Sequence, residues 1–272
     1  MTYQLAIQKH SLADPAGNRI DDYQSPIMSV STTAGTPRLF HNENHFDGDD
    51  ADLNSNDDVA VAYDKRALRN GERATAENFS NSSDGITGIM LDLQNATGNI
   101  SPSDFEFRTG NTDDTSSWRP LQFTPTLATH ATSLGQRVSL AFPSGTITNT
   151  WLQVRVLANP NTGLQVDDVF YFGNLIGDTG NGNEAAVVDF ADWQLVYAEL
   201  FSQSSITSRT DFNRSGQTDF ADLQLLFGNL FASIELIQPY EPSNLQGSPA
   251  GWWVKRFRLK KTLAPVTQAN TS

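Results

Sequence analysis

The sequence predicts a mainly β protein with a small all-α part: an antiparallel, jelly-roll-like β-sandwich followed by a module of two helices. Two observations predict this order. Between residues 38 and 174, about eight short apolar runs are separated by turn residues, and none has helical periodicity of useful length. After Gly173, two amphipathic segments at 190–201 and 220–231 repeat one another. We therefore divide the chain into a linker or upstream remnant (1–37), the sandwich (38–173), the helical module (174–233) and a flexible tail (234–272).

The strand candidates are short runs of β-branched, aromatic and aliphatic residues bounded by Gly, Pro, Asn, Asp or Ser. The clearest lie at 88–93, 104–108, 121–124, 137–142, 151–157 and 168–172. Many short strands with frequent turns are typical of two antiparallel sheets packed face to face.

The two helical segments are duplicates. Residues 188–201 and 218–231 share eight identities in fourteen positions at an offset of thirty. Such repetition indicates a loop-plus-helix unit that has been copied. One short helix could not bury its apolar face alone, so we expect the two helices to pack together.

Composition narrows the function. A formal charge of −13 disfavours binding to phosphate backbones and anionic lipid, so we expect no nucleic-acid partner. The absence of cysteine excludes disulfides, a thiol nucleophile and a thiolate zinc site. We expect no membrane span, because no run of about 18 apolar residues occurs. Acidic, Asn/Asp/Thr/Ser-rich composition fits a secreted or cell-surface bacterial protein, and without a signal peptide we expect Met1 to begin a piece of a longer one.

The segment 211–222, DFNRSGQTDFAD, predicts a calcium loop. Oxygen side chains stand at positions 1, 3, 5, 9 and 12, with Gly216 at position 6 for the sharp turn. Calcium takes six to eight oxygen ligands, which a twelve-residue loop can supply. The expected ligands are Asp211, Asn213, Ser215, the backbone carbonyl of Gln217, Asp219 and Asp222. The alternative is a polar turn followed by an Asp-capped helix, with no ion.

The first copy of the loop matches less well. Aligned on its helix, it places the candidate ligands Asn181, Asn183, Asp189 and Asp192 in the same register. Alanine replaces the glycine at position 6 of this loop. Asp178 or Glu184 could contribute through a longer, irregular loop, and the alternative is a capped helix without calcium.

A third candidate is the acidic segment 47–58, where repulsion between closely spaced carboxylates would be relieved by a cation. The expected calcium ligands are Asp47, Asp49, Asp52 and Asp58. The alternative is a solvated acidic loop.

The helical module resembles type I dockerins, whose calcium loops end in Asp where ordinary EF-hands prefer Glu. The resemblance covers about 174–231 and implies docking onto a cohesin-like protein module. Dockerins contact their partners through loop positions 10 and 11, and the resemblance implies that the partner contacts here are Phe190, Ala191, Phe220 and Ala221. These differ from the more familiar hydroxyl or charged pairs, and both phenylalanines could instead cover the core between the helices.

A second resemblance is to a repeated sandwich-plus-dockerin arrangement in large exported proteins of planctomycete bacteria. The matching segments are FDG at 46–48, DLNSNDDVAVAYDK at 52–65, GITGIMLDL at 85–93, WLQVRVLANPNTGL at 151–164 and DVFYFGNLIGDTGN at 168–181. It implies an extracellular location and no established activity for the sandwich.

The remaining motifs are weaker. His41 and His45 have zinc-like spacing without the HExxH motif, and we interpret them as surface histidines. Trp118 and Trp151 could stack on sugar rings or belong to the core. In the tail, Trp252 and Trp253 precede the basic run KRFRLKK, which is a solvated tail or a partner-binding peptide. No hydrolase, phosphate-loop or dinucleotide motif occurs, so we expect no enzyme.

The sequence therefore predicts a non-catalytic, extracellular calcium-binding protein whose dockerin-like module mediates protein–protein docking. Two alternatives stay open. One is a carbohydrate-binding sandwich with a calcium-stabilised helical cap. Its ligand would be a polysaccharide, and its role would lie in polysaccharide catabolism. The other is a structural segment of a large cell-surface protein.

Overall fold

The computed structural model describes residues 35–133, 135–182 and 185–240. Paired β-strands are the main structural elements of these residues. The strands in these residues are β1 (Arg38–Phe40), β2 (Leu68–Arg69), β3 (Phe79–Ser80), β4 (Gly88–Leu93), β5 (Phe105–Gly110), β6 (Arg119–Pro120), β7 (Thr126–Thr132), β8 (Gly135–Ala141), β9 (Thr150–Val156), β10 (Asp168–Asn174), β11 (Ala186–Val187) and β12 (Ser233–Ile234). The α-helices are α1 (Phe190–Ala198) and α2 (Phe220–Gly228). Short 3-10 helices lie at Ser55–Ala60, Ala76–Asn78, Pro102–Asp104 and Thr115–Ser117.

The strands form two sheets that pack as a sandwich, which confirms the mainly β prediction. One sheet has the order β1-β4-β8-β7, and the other has the order β2-β10-β9-β5-β6 with β3 added beside β10. Pairing is antiparallel except between β3 and β10. A separate antiparallel pair, β11 with β12, joins the start of α1 to the chain after α2.

The larger sheet is buried on both faces. Because side chains alternate along a strand, Leu152 and Val154 of β9 point into the core between the sheets. Trp151 of β9 and Tyr171 of β10 belong instead to a second core, which includes Val196 of α1 and Leu226 of α2. The two helices thus cover the outer face of the sandwich, and all described residues belong to one compact unit.

The predicted strand at 88–93 is confirmed with its bounds, and those near 104–108, 137–142, 151–157 and 168–172 are confirmed with small shifts at their ends. The strand predicted at 121–124 is wrong, because those residues form the connection between β6 and β7. The N–H of Leu121 donates to the carbonyl of Phe107 at 3.0 Å, and Leu121 and Phe123 pack against the core, so the apolar residues of this connection are explained by burial.

Each α-helix ends before the last apolar residue of its repeated segment. Phe201 and Phe231 follow the two helices in the left-handed region, with φ of 66° and 70°. There the backbone N–H of Phe201 donates to the carbonyl of Thr218, and that of Phe231 donates to Val188. The last apolar residues of each repeat therefore bind the chain to the loop of the other repeat.

The tail was predicted to be flexible from residue 234, and for 234–240 this is wrong. Ile234 pairs in β12, and Ile237 is buried in the outer core. The indole N–H of Trp151 donates to the carbonyl of Glu235 at 2.9 Å. Residues 1–34 and 241–272, with Trp252, Trp253 and the basic run, lie outside the described residues.

Of the two interpretations of Trp118 and Trp151, the structure supports a place in the core and not a sugar-stacking surface. Trp118 and Trp151 are buried in the outer core, where Trp118 packs edge-on against Tyr171 with ring centroids 5.6 Å apart. Neither indole presents a face to solvent.

Within the described ranges, neither α-helix has the length and apolar character needed to cross a bilayer.

Candidate metal centre

Asp211 opens the second loop as a buried carboxylate. Its oxygens accept hydrogen bonds from the backbone N–H groups of Ser215 at 3.0 Å and Gly216 at 2.9 Å. These bonds curl the chain around the carboxylate. Gly216 is required here, because its φ is +83° and a Cβ would lie 2.6 Å from Cδ2 of His45.

Asp222 closes the same loop from the first turn of α2. Its Oδ1 accepts from the N–H of Phe212 at 2.7 Å, and its Oδ2 accepts from the N–H of Asp219 at 2.8 Å. Asp219 is the N-cap, and its side chain accepts from the N–H of Ala221 at 2.7 Å. These bonds hold the carboxylates of Asp211 and Asp222 at the buried inner side of the loop. The Asp219 carboxylate instead caps the N-terminus of α2.

The middle of the loop supplies further oxygens. Oδ1 of Asn213 accepts from the N–H of Ser215 at 3.1 Å. The hydroxyl of Ser215 donates to the carbonyl of Gln217 at 3.1 Å, so two predicted ligand oxygens are neighbours. The structure brings these side chains into one loop, which fits the oxygen-rich set that calcium prefers.

Burial makes the two end carboxylates costly as anions. It raises the pKa of Asp211, against the opposing effect of the Arg214 guanidinium. It also raises the pKa of Asp222, although backbone N–H donors lower it. The two carboxylates also repel one another. A divalent cation would favour both ionised forms.

In the first loop the counterpart of Asp211 is Asp178. Asp192 of α1 accepts from the N–H of Thr179 at 2.8 Å, as Asp222 accepts from Phe212. Asp178 lies 14 positions before Asp192, whereas Asp211 lies 11 positions before Asp222, so the first loop is longer. Alignment on the helices alone therefore selected Asn181, which is exposed, whereas Asp178, the alternative contributor through a longer loop, takes the position of Asp211.

Asp178 is a buried carboxylate with only one of its oxygens hydrogen-bonded in the described part of the chain. Its Oδ1 accepts from the N–H of Gly180 at 2.5 Å, but its buried Oδ2 has no hydrogen-bond partner among the described residues. Burial raises the pKa of this carboxyl to about 7, and the Asp192 and Asp189 carboxylates add to the shift. Asp189 caps α1 through the N–H of Ala191. Asn183 lies outside the described residues.

A buried polar group of the sandwich joins the two loops. Asn81 donates to the carbonyls of Asp178 at 2.8 Å and Arg209 at 2.9 Å, and its Oδ1 accepts from the Arg214 guanidinium at 2.6 Å. Arg214 has φ of 52° and also donates to the carbonyls of Ser208 and Asp211. Neither Asn81 nor Arg214 can be recognised from the sequence as part of this site, because they lie 133 positions apart and match no local motif.

His41 was interpreted as a surface histidine, and this is wrong. It is buried, and its Nε2 accepts from Nε of Arg214 at 3.4 Å. Burial holds the pKa of His41 well below its usual value, and the Arg214 and Lys65 charges lower it further. His45 is exposed, as expected, and lies against Gly216.

The predicted partner residues are exposed. Phe190 is 59% exposed and Phe220 is 60% exposed, and Ala191 and Ala221 beside them are also exposed. The phenylalanines therefore do not fill the core between the helices. Phe190 packs edge-on with Phe231 at 6.2 Å, and Phe220 packs edge-on with Phe201 at 5.3 Å. These four rings, here called the aromatic face, repeat with the helices.

The acidic segment is partly buried. Asp47 is buried and accepts from the N–H groups of Glu43, Asn44 and Asp50. The other predicted ligands, Asp49, Asp52 and Asp58, are exposed, and Asp58 pairs with Arg137 at 3.2 Å.

Within the ranges that the structure describes, no three His, Asp or Glu side chains already form a cluster able to hold a metal. Each helical loop holds two buried carboxylates, and in the second loop Asn213, Ser215 and the carbonyl of Gln217 add further oxygens. In comparisons with known proteins, no family model, no curated protein and no solved structure matches this chain.

Proposed function

We propose that this chain is a non-catalytic, extracellular calcium-binding protein whose helical pair docks onto another protein. One observation carries the proposal: two copies of a loop each hold a buried first and a buried last carboxylate, and in both the last carboxylate accepts from the N–H that directly follows the first. A polar turn with a capped helix needs only the cap residues. It does not account for buried Asp178 and Asp211.

The donor set favours calcium. In the second loop, Asp211, Asn213, Ser215, the carbonyl of Gln217 and Asp222 supply hard oxygens, and water would complete the shell. In the first loop, Asp178 and Asp192 occupy the corresponding ends. Calcium is abundant outside cells, where loops of modest affinity are filled.

The aromatic face supports docking. Four large apolar side chains that remain in solvent, in two matched pairs, are unusual for a surface without a partner. Calcium would fix the start of each helix and so the spacing of Phe190 and Phe220. Together with the resemblance to dockerins, this favours a cohesin-like module as the partner.

The calcium part is tested by calorimetric titration of calcium-depleted protein. We expect one ion per helical loop and the loss of one ion in Asp211→Asn. The matched control is Glu106→Gln, which removes an exposed charge from the sandwich. Full binding by Asp211→Asn would refute this assignment.

The docking part is tested with purified cohesin modules on a biosensor, with calcium and with chelator. We expect calcium-dependent binding that the double variant Phe190→Ser/Phe220→Ser abolishes. Tyr63→Ser is the control, since Tyr63 is a 68% exposed aromatic residue of the sandwich. Equal binding by wild type and the double variant would show that the aromatic face is not the contact.

The carbohydrate-binding alternative loses its main support. It depended on indole rings at the surface, and both candidate tryptophans are buried.

A further inference from the structure

Asp57, in the 3-10 helix Ser55–Ala60, is a buried carboxylate with an unused oxygen. The residue is 1% exposed. Its Oδ2 accepts from the backbone N–H of Asn54 at 3.0 Å, but its Oδ1 is buried and has no hydrogen-bond partner in the described part of the chain. A buried anionic oxygen without a donor costs free energy unless water or a cation contacts it.

The surroundings of Asp57 add negative charge. Burial is the main cause that raises the pKa of Asp57 to about 6, and the Asp47, Asp50 and Asp58 carboxylates raise it further. Arg137 is bound to Asp58 and Asp92, so its charge is shared. At neutral pH these carboxylates lack an equal number of nearby cations.

We infer that Asp57, with Asp47 and Asp50, binds a calcium ion in the sandwich, separate from the two helical loops. Oδ1 of Asp57 is the buried ligand. Oδ2 of Asp47 and Oδ1 of Asp50 each accept one hydrogen bond and keep a lone pair, whereas the other oxygen of each carboxylate already accepts two. Backbone carbonyls and water would complete the shell. Within the described residues no three carboxylates already lie close enough to hold a metal, so calcium binding here requires Asp50 to give up the hydrogen bonds that its Oδ2 accepts from the Asn54 and Asn56 amides at 2.6 and 3.3 Å.

This donor set differs from the one that the sequence suggested. Asp49 and Asp52 point to solvent, and Asp58 is paired with Arg137. The density of acidic residues indicated the correct segment. The 3-10 helix buries Asp57, which the sequence pattern did not reveal. This burial identifies Asp57 as the main ligand within the acidic segment.

The experiment counts calcium ions by calorimetric titration of the whole chain. We expect three ions for the wild type, two for Asp57→Asn and three for Asp52→Asn, the exposed control in the same segment. Asn at position 57 keeps the shape and the acceptor for Asn54. Far-UV circular dichroism checks that each variant folds.

A second variant decides the matter if Asp57→Asn does not fold. The double variant Asp178→Asn/Asp211→Asn removes the helical loops, and we expect it to keep one ion. Complete loss of binding in that variant would overturn the third site while leaving the helical sites intact. Conversely, one ion in both the wild type and the double variant would support this site and refute the helical ones.

Discussion

At the residue scale, Asp178 couples protonation to calcium. Burial raises the pKa of its carboxyl from 3.8 to about 7, so the calcium-free folded state holds a proton that the unfolded chain has released. This contribution to stability is present below about pH 4 and is lost as the pH rises through about 7.

We therefore expect the melting temperature of calcium-depleted protein to fall between pH 4 and pH 7.5, and Asp178→Asn to reduce that fall. The pKa shift of Asp178 sets an upper limit of about 4 kcal/mol on this change in the free energy of unfolding. Thermal melts of both proteins after calcium removal measure it, with Glu106→Gln as the control. An unchanged slope in Asp178→Asn would show that this carboxyl is not the source.

His41 has the opposite dependence. Its folded pKa lies well below 6.5, so its contribution to stability is present above pH 6.5 and is lost as the pH falls below that value. In saturating calcium, urea unfolding between pH 5 and 7.5 should show this loss in the wild type. His41→Gln should weaken it, whereas His130→Gln, on an exposed position of β7, should retain it. Identical pH profiles for all three proteins would contradict the prediction.

At the element scale, Asn81 holds the two loops against the sandwich. Its replacement by Ala would leave the Arg214 guanidinium and the carbonyls of Asp178 and Arg209 without this partner. Each unsatisfied buried group costs about 1–3 kcal/mol, so we expect a loss of roughly 3 kcal/mol in the free energy of unfolding.

Chemical denaturation in saturating calcium measures this loss. Gln122→Ala is the control, because Gln122 is exposed and bonds only to the carbonyl of Pro120 among the contacts described. A loss in Asn81→Ala below 0.5 kcal/mol would mean that the loops do not depend on this hydrogen-bond bridge.

The elements that sequence analysis placed well are those with a strong local signal. The strand β4 is a nearly continuous apolar run between turns, and both helices begin at an Asp cap that the repeat reveals. Residues 121–124 carried a strand-like pattern, but they form the connection between β6 and β7, from which Leu121 and Phe123 pack against the core. Asp178 and Asn81 depended on loop length and on contacts between distant segments, which periodicity does not report.

At the scale of the whole molecule, the larger sheet needs a cover on its outer face. Trp151 and Tyr171 would be exposed if the helices were removed, and Val196 and Leu226 would lose the surface they bury. The sandwich and helical module therefore share a core. Calcium bound in the helical loops should stabilise the sandwich as well as the helices.

We expect Leu226→Ala in α2 to destabilise the whole chain by about 2–5 kcal/mol, the usual cost of a buried Leu-to-Ala cavity. In a background in which Trp193, Trp252 and Trp253 are replaced by Phe, the fluorescence of Trp118 and Trp151 reports on the sandwich side of this core and should shift together with the far-UV helical signal in one transition. Phe227→Ala, beside it on the exposed face of α2, is the control and should change stability little. Two separate transitions, with only the helical signal shifted by Leu226→Ala, would mean that the modules unfold independently and that calcium stabilises the helices alone.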